Sequence, residues 1–382
     1  AGGICGAGPA GGERGGGPGG WAARRPRRRP RRSRRRGSPR DGAGCVSGAA
    51  WSRSPAGSAP AERSGLIATL RSMTANDSGS TRPAPSTPHS HHAHRASIAS
   101  PGRRLRDAMA RGVVVVPGVF NALVARAAAR HGFDACYISG GATANVAGYP
   151  DIGLITLTEM CRTIREIADA SGLPAIVDAD TGYGEVECVI RTTVAYARAG
   201  AAGMHIEDQV FPKRCGHLDG KDLVPASAMA EKVAAAAESR PDPEFLVIAR
   251  TDARHVTGFD DAVERANLYR RAGADAIFPE GLHTEEEFER FARASPGWLL
   301  ANMTEFGKTA DIPAWRFGEM GYQIVIYPLS MMRLAMRAVD EGLAGLRAQG
   351  SMRELLPRMQ TRKELYTLLD YEPGRQWNYP RG

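Results

Sequence analysis

The fold prediction starts from residues 174–208, which read PAIVDADTGYGEVECVIRTTVAYARAGAAGMHIED. Two short apolar runs, residues 175–177 and 203–206, flank a helical pattern over 189–199 that ends at Gly200. Such runs are too short for helices and suit buried parallel strands. Because glycine commonly caps the carboxyl end of a helix, the stretch predicts a strand, a helix and a second, parallel strand.

The same strand–helix unit recurs along the chain from about residue 101. Amphipathic helical patterns separate eight apolar runs, and we predict strands at residues 113–117, 135–139, 175–177, 203–206, 246–249, 276–278, 299–301 and 324–327. Eight units over roughly 250 residues match the size of an α/β protein of the (β/α)8 TIM-type barrel class. A doubly wound open sheet is the alternative, but it needs fewer strands and a glycine-rich phosphate loop after the first strand.

The segments on either side of the barrel pattern differ from it in composition. Two amphipathic patterns, residues 334–346 and 352–371, exceed the eight barrel helices and predict extra C-terminal helices. We therefore expect one domain over 101–372 and a tail over 373–382. Gly, Arg, Ala and Pro fill 51 of the first 72 positions without apolar periodicity, which predicts a disordered extension over 1–100. The first methionine is Met73, and we hypothesise that natural translation starts there.

The formal net charge of +9 divides unevenly along the chain. Residues 1–100 carry 17 Arg, no Lys and 4 acids, so the remainder carries −4. The Arg-rich run at 24–36 lacks the interleaved aromatic residues that stack on bases, so we expect no nucleic-acid partner. A binding or regulatory module built on this run is the alternative.

Two further classes of protein are excluded by composition. No stretch approaches roughly 20 uninterrupted apolar residues, so no membrane association is expected. The six scattered cysteines do not form the framework of a disulfide-rich secreted domain, which predicts a cytoplasmic protein.

Polar side chains follow six predicted strands in succession. They are Ser139, Asp178 with Asp180, Glu207 with Asp208, Arg250 with Asp252, Glu280, and Asn302 with Thr304 and Glu305. The carboxyl ends of parallel barrel strands meet at one mouth, where barrel enzymes bind their substrates. The sequence therefore predicts an active site at this mouth.

Three carboxylates, Asp178, Asp180 and Glu207, are expected to converge there. Clustered acids repel one another unless a cation neutralises them, and oxygen ligands suit Mg²⁺ or Mn²⁺ with water and substrate completing the coordination. Helix capping by the same carboxylates is the alternative interpretation.

The segment Lys213-Arg214-Cys215-Gly216-His217 follows the fourth predicted strand. Two cations and a histidine next to Cys215 favour its thiolate form and make the sulfur usable as a proton donor or acceptor. Because Gly216 and Gly220 allow backbone movement, the segment is a candidate lid.

These motifs together resemble the isocitrate lyase/phosphoenolpyruvate mutase superfamily, in which they occur in the same order. The likeness covers residues from about 104 to 371, and within the superfamily it is greatest to the 2-methylisocitrate lyase branch. The cysteine of the Lys213-Arg214-Cys215-Gly216-His217 segment is typical of the carbon–carbon lyases, since the phosphonate-forming branch lacks it.

The resemblance implies a Mg²⁺-dependent lyase that cleaves the tricarboxylate 2-methylisocitrate to pyruvate and succinate, a step of the methylcitrate cycle in propionate catabolism. It implies that Asp178 and Asp180 hold the metal, largely through water. Tyr137 is then the candidate base for the substrate hydroxyl, and Cys215 protonates the succinate carbanion. The remaining catalytic residues implied are Lys213, Glu207 and His217.

The resemblance also implies the substrate-binding residues Ser139, Gly140, Gly141, Gly216, Arg250, Glu280, Asn302, Met303, Thr304, Arg333 and Arg362. Arg333 and Arg362 rest on the resemblance alone, since by pattern they are ordinary charges of surface helices. A homotetramer that exchanges its C-terminal helices between subunits is the implied assembly.

Substrate choice depends on two predicted barrel positions. Isocitrate lyases carry Trp where this chain has Phe278 and Phe where it has Ile326, so the smaller residues leave room for an extra methyl group. One methyl group changes the binding free energy in an apolar pocket by only about 1–3 kcal/mol. The pocket therefore gives a preference between the two substrates and does not exclude either. A 2,3-dimethylmalate-type lyase, and an oxaloacetate decarboxylase or 2-oxo-acid hydrolase that does not need Cys215, stay alternatives.

Overall fold

The computed structural model describes residues 99–378, apart from 217 and 219. Eight parallel strands form one sheet: β1 (Val114–Pro117), β2 (Cys136–Ile138), β3 (Ala175–Asp178), β4 (Gly203–Glu207), β5 (Leu246–Thr251), β6 (Ala276–Pro279), β7 (Trp298–Asn302) and β8 (Ile324–Tyr327). Strands β2 to β8 pair in chain order, and β1 pairs with β8. A bridge between Gly118 and Tyr137 joins β1 to β2 and closes the barrel. The predicted TIM-type barrel is confirmed.

One helix precedes β1, and helices follow every strand. They are α1 (Pro101–Arg111), α2 (Ala122–Arg130), α3 (Gly140–Val146), α4 (Leu157–Ser171), α5 (Val186–Ala199), α6 (Ala226–Ser239), α7 (Ala253–Val256), α8 (Phe259–Arg271), α9 (Glu285–Ala294), α10 (Ala314–Glu319), α11 (Ser330–Gln349) and α12 (Arg362–Leu368), with a 3-10 helix at Arg353–Arg358. No helix within the described part of the chain is long and apolar enough to cross a bilayer.

The prediction of a single helix over residues 352–371 is wrong. The 3-10 helix contains Pro357, which cannot donate a backbone hydrogen bond to a continuing α-helix. A new start then follows, because the Thr361 and Glu364 side chains form a capping box at the beginning of α12. The segment is therefore two short helices with a break between them.

The barrel core has two layers set by the alternation of side chains along each strand. Val116, Ile176 and Ile248 point inward, whereas Val177 and Val247 point outward against the surrounding helices. All of these side chains are buried. Residues of one strand thus contribute alternately to the barrel interior and to the strand–helix interface.

Helix α1, which the sequence analysis did not predict, belongs to the inner layer. Leu105, Ala108 and Met109 share one helix face and pack with the inward residues of the strands. Gly102 approaches the backbone of Glu244 so closely that a Cβ atom would lie 2.3 Å from its carbonyl oxygen. Helix α1 therefore covers the amino-terminal end of the barrel.

Helix α11 differs from the other barrel helices because it buries almost none of its apolar residues. Only Ser330 is buried, while Leu334 and Leu343 are 66% and 62% exposed. After it, α12 lies against α2, where the Arg126 guanidinium donates to the Leu368 carbonyl oxygen at 2.8 Å. The long helix thus leaves an apolar face uncovered in the single chain.

Several predictions concern residues outside the described part of the chain. They are the disordered extension, of which residues 1–98 are not described, the hypothesised start at Met73, and the role of His217.

Candidate active site

The strand register brings the predicted polar residues together at the carboxyl end of the barrel. Asp178 at the end of β3 lies opposite His205 of β4, and Glu207 of β4 lies opposite Arg250 of β5. His205, Glu207 and Arg250 occupy inward-facing positions, because the alternate residues of their strands point to the helices. The four side chains are nearly inaccessible to solvent.

The first loop of the mouth is a helix start that brings the backbone close to two acids. Ser139 caps α3 by accepting a hydrogen bond from the Ala142 amide at 3.2 Å. The Gly140 amide donates to Asp178 Oδ2 at 3.1 Å, and a Cβ atom at Gly140 would lie 3.0 Å from that oxygen. Glycine at this position therefore lets a carboxylate reach the backbone.

Asp178 and Asp180, the two carboxylates predicted from sequence to hold a metal, lie together at the mouth. The Asp180 amide donates to Asp178 Oδ1 at 3.0 Å, and Asp180 has a left-handed backbone with φ of 46°, a conformation uncommon outside glycine. Although burial raises the pKa of Asp178, the charges of His205, Lys213 and Arg250 hold it at about 2. Burial and the neighbouring Asp178 raise the pKa of Asp180 to about 6.

Glu207 is the third carboxylate and the most deeply buried. Arg250 Nη1 lies 3.1 Å from its Oε2 atom, yet neither oxygen accepts a well-formed hydrogen bond from any described residue. Burial raises the pKa of Glu207 well above its ordinary value, against the pull of Arg250 and Lys213. Buried oxygens in this state are suited to a ligand, a water or a proton.

These carboxylates fit a magnesium ion bound largely through water. Within the described residues, no three His, Cys, Asp or Glu side chains lie close enough to coordinate a metal together. Mg²⁺ typically keeps several waters and uses one or two carboxylates, which Asp178 and Asp180 can supply. Glu207, with buried oxygens that no described residue satisfies, can then accept from such waters.

Tyr137 and His205 form a hydrogen-bonded pair below the carboxylates. The Tyr137 hydroxyl lies 2.7 Å from His205 Nε2, and Asp178 Oδ1 lies 3.7 Å from the same nitrogen. Burial lowers the pKa of His205 to about 4, so its imidazole is neutral near neutral pH and Lys213 and Arg250 then hold Asp178 ionised. Burial and Asp178 raise the pKa of Tyr137 well above 10, which keeps the phenol protonated.

Residues 209–223 are here called the lid loop, and its described residues, which are all but 217 and 219, extend over the mouth from the end of β4. Gln209 and Leu223 pair as an antiparallel bridge at the base of the loop. The Gln209 side chain accepts from the Arg214 amide and donates to the Arg214 carbonyl oxygen, both at 2.9 Å. One side chain thus fixes the backbone immediately before Cys215.

Lys213 fastens the lid loop to the mouth. Its ammonium group lies 2.7 Å from Asp180 Oδ1 and also donates to Asp151 Oδ1. The side chain is 3% exposed, and although burial lowers its pKa, Asp180 and Glu207 raise it well above the ordinary value. Lys213 is therefore a buried ammonium shared between two loops of the mouth.

Cys215 and Gly216 lie at the point where the lid loop approaches β5 and β6. Cys215 is half-buried, and its carbonyl oxygen accepts from the Leu218 amide at 2.9 Å. A Cβ atom at Gly216 would lie 2.5 Å from both Arg250 Nη2 and Glu280 Cγ. Only glycine permits this approach without displacing its neighbours.

Arg250 is engaged by carboxylates of the chain itself. Its Nε and Nη2 atoms donate to the two oxygens of Asp252 at 2.9 and 3.1 Å. Glu280 Oε2 lies 3.7 Å from Nη2, and the guanidinium carbon lies 5.2 Å from the Phe278 ring centroid. The guanidinium orientation is therefore fixed before any substrate binds.

The ends of β6 and β7 supply the next predicted residues. Asn302 donates from Nδ2 to Glu280 Oε2 at 3.1 Å, while its buried Oδ1 accepts from no described residue. The Met303 amide donates to the Ile326 carbonyl oxygen at 2.9 Å, and half-buried Thr304 follows. These residues form one side of the mouth.

The two predicted arginines of the C-terminal region lie in different places. Arg333, in the first turn of α11, donates to the Glu305 side chain at 2.8 Å and to its carbonyl oxygen at 2.5 Å. It thus lies beside the loop after β7. Arg362 is exposed at the start of α12, which packs against α2 outside the barrel, so the single chain does not bring it to the mouth.

Two charged residues of the site, Asp151 and Lys221, were not predicted from sequence. Asp151 binds Lys213 across 62 residues, and Lys221 and Asp252 form a buried ion pair at 2.7 Å. Asp151 lies in the loop after α3 with no strand pattern before it, so no local signal indicates its role. For Lys221 the only indication in the sequence is its position near the end of the glycine-containing lid loop.

This arrangement coincides with a known family. The family model described as phosphoenolpyruvate phosphomutase matches residues 105–347, and the chain belongs to this family. The matched range contains every site residue described above except Arg362.

Two curated relatives share nearly half of their aligned residues with this chain. The probable 2-methylisocitrate lyase 1 of Corynebacterium glutamicum is 49% identical over 258 residues, which cover 67% of this chain and 85% of the relative. The 2-methylisocitrate lyase of Aeropyrum pernix is 48% identical over 279 residues, covering 73% and 90%.

Solved structures of the same superfamily are also similar. The crystal structure of a 2,3-dimethylmalate lyase is 38% identical, with a TM-score of 0.67 and coverage of 71% of this chain and 92% of that one. A phosphonopyruvate hydrolase in complex with oxalate and Mg²⁺ is 30% identical, with a TM-score of 0.65 and coverage of 71% and 95%.

Proposed function

We propose that the chain is a Mg²⁺-dependent carbon–carbon lyase that cleaves 2-methylisocitrate to pyruvate and succinate, as in propionate breakdown through the methylcitrate cycle. The observation that carries the proposal is the lid loop, which holds Lys213 between Asp151 and Asp180 and places Cys215 beside the mouth. The curated relatives named 2-methylisocitrate lyase support the choice of substrate.

We propose that Asp178 and Asp180 hold the metal, with Glu207 accepting from its waters. When bound, a divalent cation makes a chelated substrate hydroxyl more acidic and stabilises the carbonyl oxygen that forms. The complex of the phosphonopyruvate hydrolase with oxalate and Mg²⁺ supports a metal in this family, and Mn²⁺ is the expected substitute.

The substrate carboxylates would bind at the helix start of α3 and at the ends of β5 and β7. Ser139, Gly140 and Gly141 supply backbone and hydroxyl donors, and Asn302, Met303 and Thr304 lie across the mouth. Arg250, held by Asp252 and beside Glu280, offers a guanidinium of fixed orientation next to Gly216. Arg333 would reach a carboxylate by exchanging its hydrogen bond with Glu305.

Bond cleavage requires removal of one proton and delivery of another. Tyr137 is the candidate to take the substrate hydroxyl proton, and because its pKa is raised, this role depends on transfer through the 2.7 Å contact to His205. Cys215, as the thiol, would protonate the succinate carbanion. Lys213 would stabilise negative charge at the mouth. His217 is proposed as a further catalytic residue of the lid loop.

Two other activities are the alternative candidates for the same mouth. The 38% identity with a 2,3-dimethylmalate lyase favours cleavage of a smaller methylated 2-hydroxy acid as the second candidate. The hydrolase relative makes a 2-oxo-acid hydrolase or oxaloacetate decarboxylase the third, and this reaction should not need Cys215.

We also propose that the chain forms a homotetramer in which the C-terminal helices exchange between subunits. The exposed apolar face of α11 supports this, because Leu334, Leu343 and Leu346 lie uncovered in the single chain. Arg362 would then act in the site of a neighbouring subunit. A single domain over residues 101–372 and a cytoplasmic location remain predictions from sequence.

The proposal is tested by incubating the full chain with 2-methylisocitrate and Mg²⁺ and measuring pyruvate and succinate. Equal amounts of the two products are expected, with loss of turnover after chelation by EDTA and recovery with Mg²⁺ or Mn²⁺. Turnover that survives complete removal of divalent metal would contradict the role of Asp178 and Asp180.

A further inference from the structure

Lys221 is a buried charge that the proposed reaction does not use. It lies near the end of the lid loop, and its side chain is only 1% exposed. The ammonium group donates to Asp252 Oδ1 at 2.7 Å and to the carbonyl oxygen of Gly216. One lysine thus joins the end of β5 to the backbone at the centre of the lid loop.

Burying an ammonium group is unfavourable unless it is paired and its hydrogens are used. Asp252 supplies the opposite charge, and the two oxygens of this carboxylate also accept from Arg250 at 2.9 and 3.1 Å. Arg250 in turn lies 3.1 Å from Glu207. Alternating charges therefore run without interruption from a carboxylate of the mouth to the lid loop.

The backbone that Lys221 binds carries the proposed proton donor. Gly216 directly follows Cys215, and the Leu218 amide closes the turn on the Cys215 carbonyl oxygen at 2.9 Å. On its other side, Gly216 rests against Arg250 and Glu280 with no space for a Cβ atom. A shift of Gly216 would therefore move Cys215 with it.

The lid loop has other attachments, and they act at different points. Lys213 binds Asp151 and Asp180 two residues before Cys215, and Gln209 binds Arg214 at the base. Lys221 is the described side chain that donates to the backbone after Cys215. The loop is thus fixed on both sides of the cysteine.

We propose that Lys221 is a positioning residue: its ammonium group, held by Asp252, binds the Gly216 carbonyl and keeps the lid loop closed with Cys215 at the mouth. The proposal deepens the proposed lyase function and rests on it for the role of Cys215. Its geometric content, the closed position of the loop, does not depend on which substrate is cleaved.

The test combines Cys215 reactivity with kinetics, using Lys221→Gln in the full chain. Alkylation by iodoacetamide is followed by mass spectrometry for the peptides that contain Cys215 and exposed Cys188. Loss of a charge-assisted hydrogen bond should raise the Cys215 alkylation rate about tenfold, with Cys188 unchanged. Because misplacement costs chemistry rather than binding, kcat should fall about 10- to 100-fold, with KM changing less than about threefold.

Lys232, on α6, provides the matched control because it is also a buried lysine. Its ammonium group contacts Thr181 and Glu185 rather than the lid loop. Lys232→Gln should leave Cys215 alkylation unchanged. Lys221→Arg keeps a cation next to Asp252 and should protect Cys215 better than Lys221→Gln does. In the wild-type chain, amine acetylation should label Lys221 far more slowly than exposed Lys363.

Wild-type alkylation of Cys215 in a folded Lys221→Gln variant would overturn the proposal. So would acetylation of wild-type Lys221 as fast as that of Lys363, a result that does not depend on any variant folding. If the wild-type chain releases no pyruvate but Lys221→Gln exposes Cys215, the lyase function fails and the closing role of Lys221 stands.

Discussion

The two ends of the barrel are built from opposite chemistry. At the amino-terminal end, Leu105 and Met109 of α1 pack against apolar strand residues. At the carboxyl end, side chains such as Glu207, Arg250 and Asp252 are just as deeply buried but charged. Apolar burial stabilises the fold, whereas buried charges at best offset their own desolvation. The difference indicates that one end holds the barrel together and the other carries its chemistry.

The largest loss of activity is expected from substitution of Lys213 at the carboxyl end of the barrel. Lys213→Met leaves Asp151 and Asp180 without their shared cation and frees the lid loop before Cys215. We expect kcat/KM for pyruvate release to fall about 100- to 1,000-fold, as for the loss of other preorganised charges in active sites. Arg162, whose side chain is 78% exposed on α4, gives the control Arg162→Met, which should retain wild-type turnover. A Lys213→Met enzyme within threefold of wild type would argue against this role.

Substitution at the opposite end should affect stability without affecting chemistry. Leu105→Ala removes a fully buried side chain from the α1 contact and should lower the free energy of unfolding by about 3 kcal/mol. Urea denaturation measures this loss, while kcat and KM at 25 °C should match wild type. Val256→Ala, at a position 40% exposed, should cost less than about 1 kcal/mol. A loss of turnover in folded Leu105→Ala would show that the two ends are not separable.

Between the two ends lies Phe278, an inward residue whose ring meets His205 edge-on at 5.4 Å between centroids. Phe278→Trp enlarges the side chain below the mouth, and it should shift the ratio of kcat/KM for 2-methylisocitrate over isocitrate about tenfold toward isocitrate. Parallel assays of the two acids measure the ratio. Phe133→Trp, outside the barrel, should not change it, and an unchanged ratio in Phe278→Trp would place the methyl group elsewhere.

The smallest expected effect concerns acid stability near the mouth. Burial, together with Lys221, Lys308, His283 and Arg254, lowers the pKa of half-buried His255 to about 4. The folded pKa lies below the ordinary value of about 6.5, so the unfolded chain binds more protons and stability falls as pH drops from 6.5 to 4.

His255→Gln should reduce this loss by less than about 1 kcal/mol, because solvent screens the half-buried ring. Thermal unfolding at pH 7.0 and 4.5 measures the difference between the variant and wild type. His131→Gln, at an exposed position, should behave as wild type. A variant as acid-sensitive as wild type would assign the pH dependence to other groups.

Sequence patterns predicted the barrel because its strands are short apolar runs and its helices end in glycine. Helix α1 escaped prediction because its three buried apolar side chains, Leu105, Ala108 and Met109, lie among four arginines, so its role is visible only in packing against the strands. The helix predicted over residues 352–371 was wrong because a proline and a capping threonine interrupt the pattern.

Sequence predicted those site residues that lie at the end of a predicted strand. Asp178, Glu207 and Arg250 follow buried runs, and the structure brings them together as expected. Asp151 and Lys221 could not be predicted because their partners lie 62 and 31 residues away, and pairing across loops leaves no local pattern. Arg250 was expected to meet a substrate, but its partnership with Asp252 depends on side-chain geometry.

A pyruvate-release assay on wild type and Cys215→Ser distinguishes a carbon–carbon lyase from the alternative activities. The assay compares 2-methylisocitrate, isocitrate, 2,3-dimethylmalate and oxaloacetate in the presence of Mg²⁺. We predict that 2-methylisocitrate gives the highest kcat/KM in wild type and that Cys215→Ser, although folded, shows no cleavage of it. Preferred turnover of oxaloacetate that persists in Cys215→Ser would contradict the lyase assignment and the role of the lid loop.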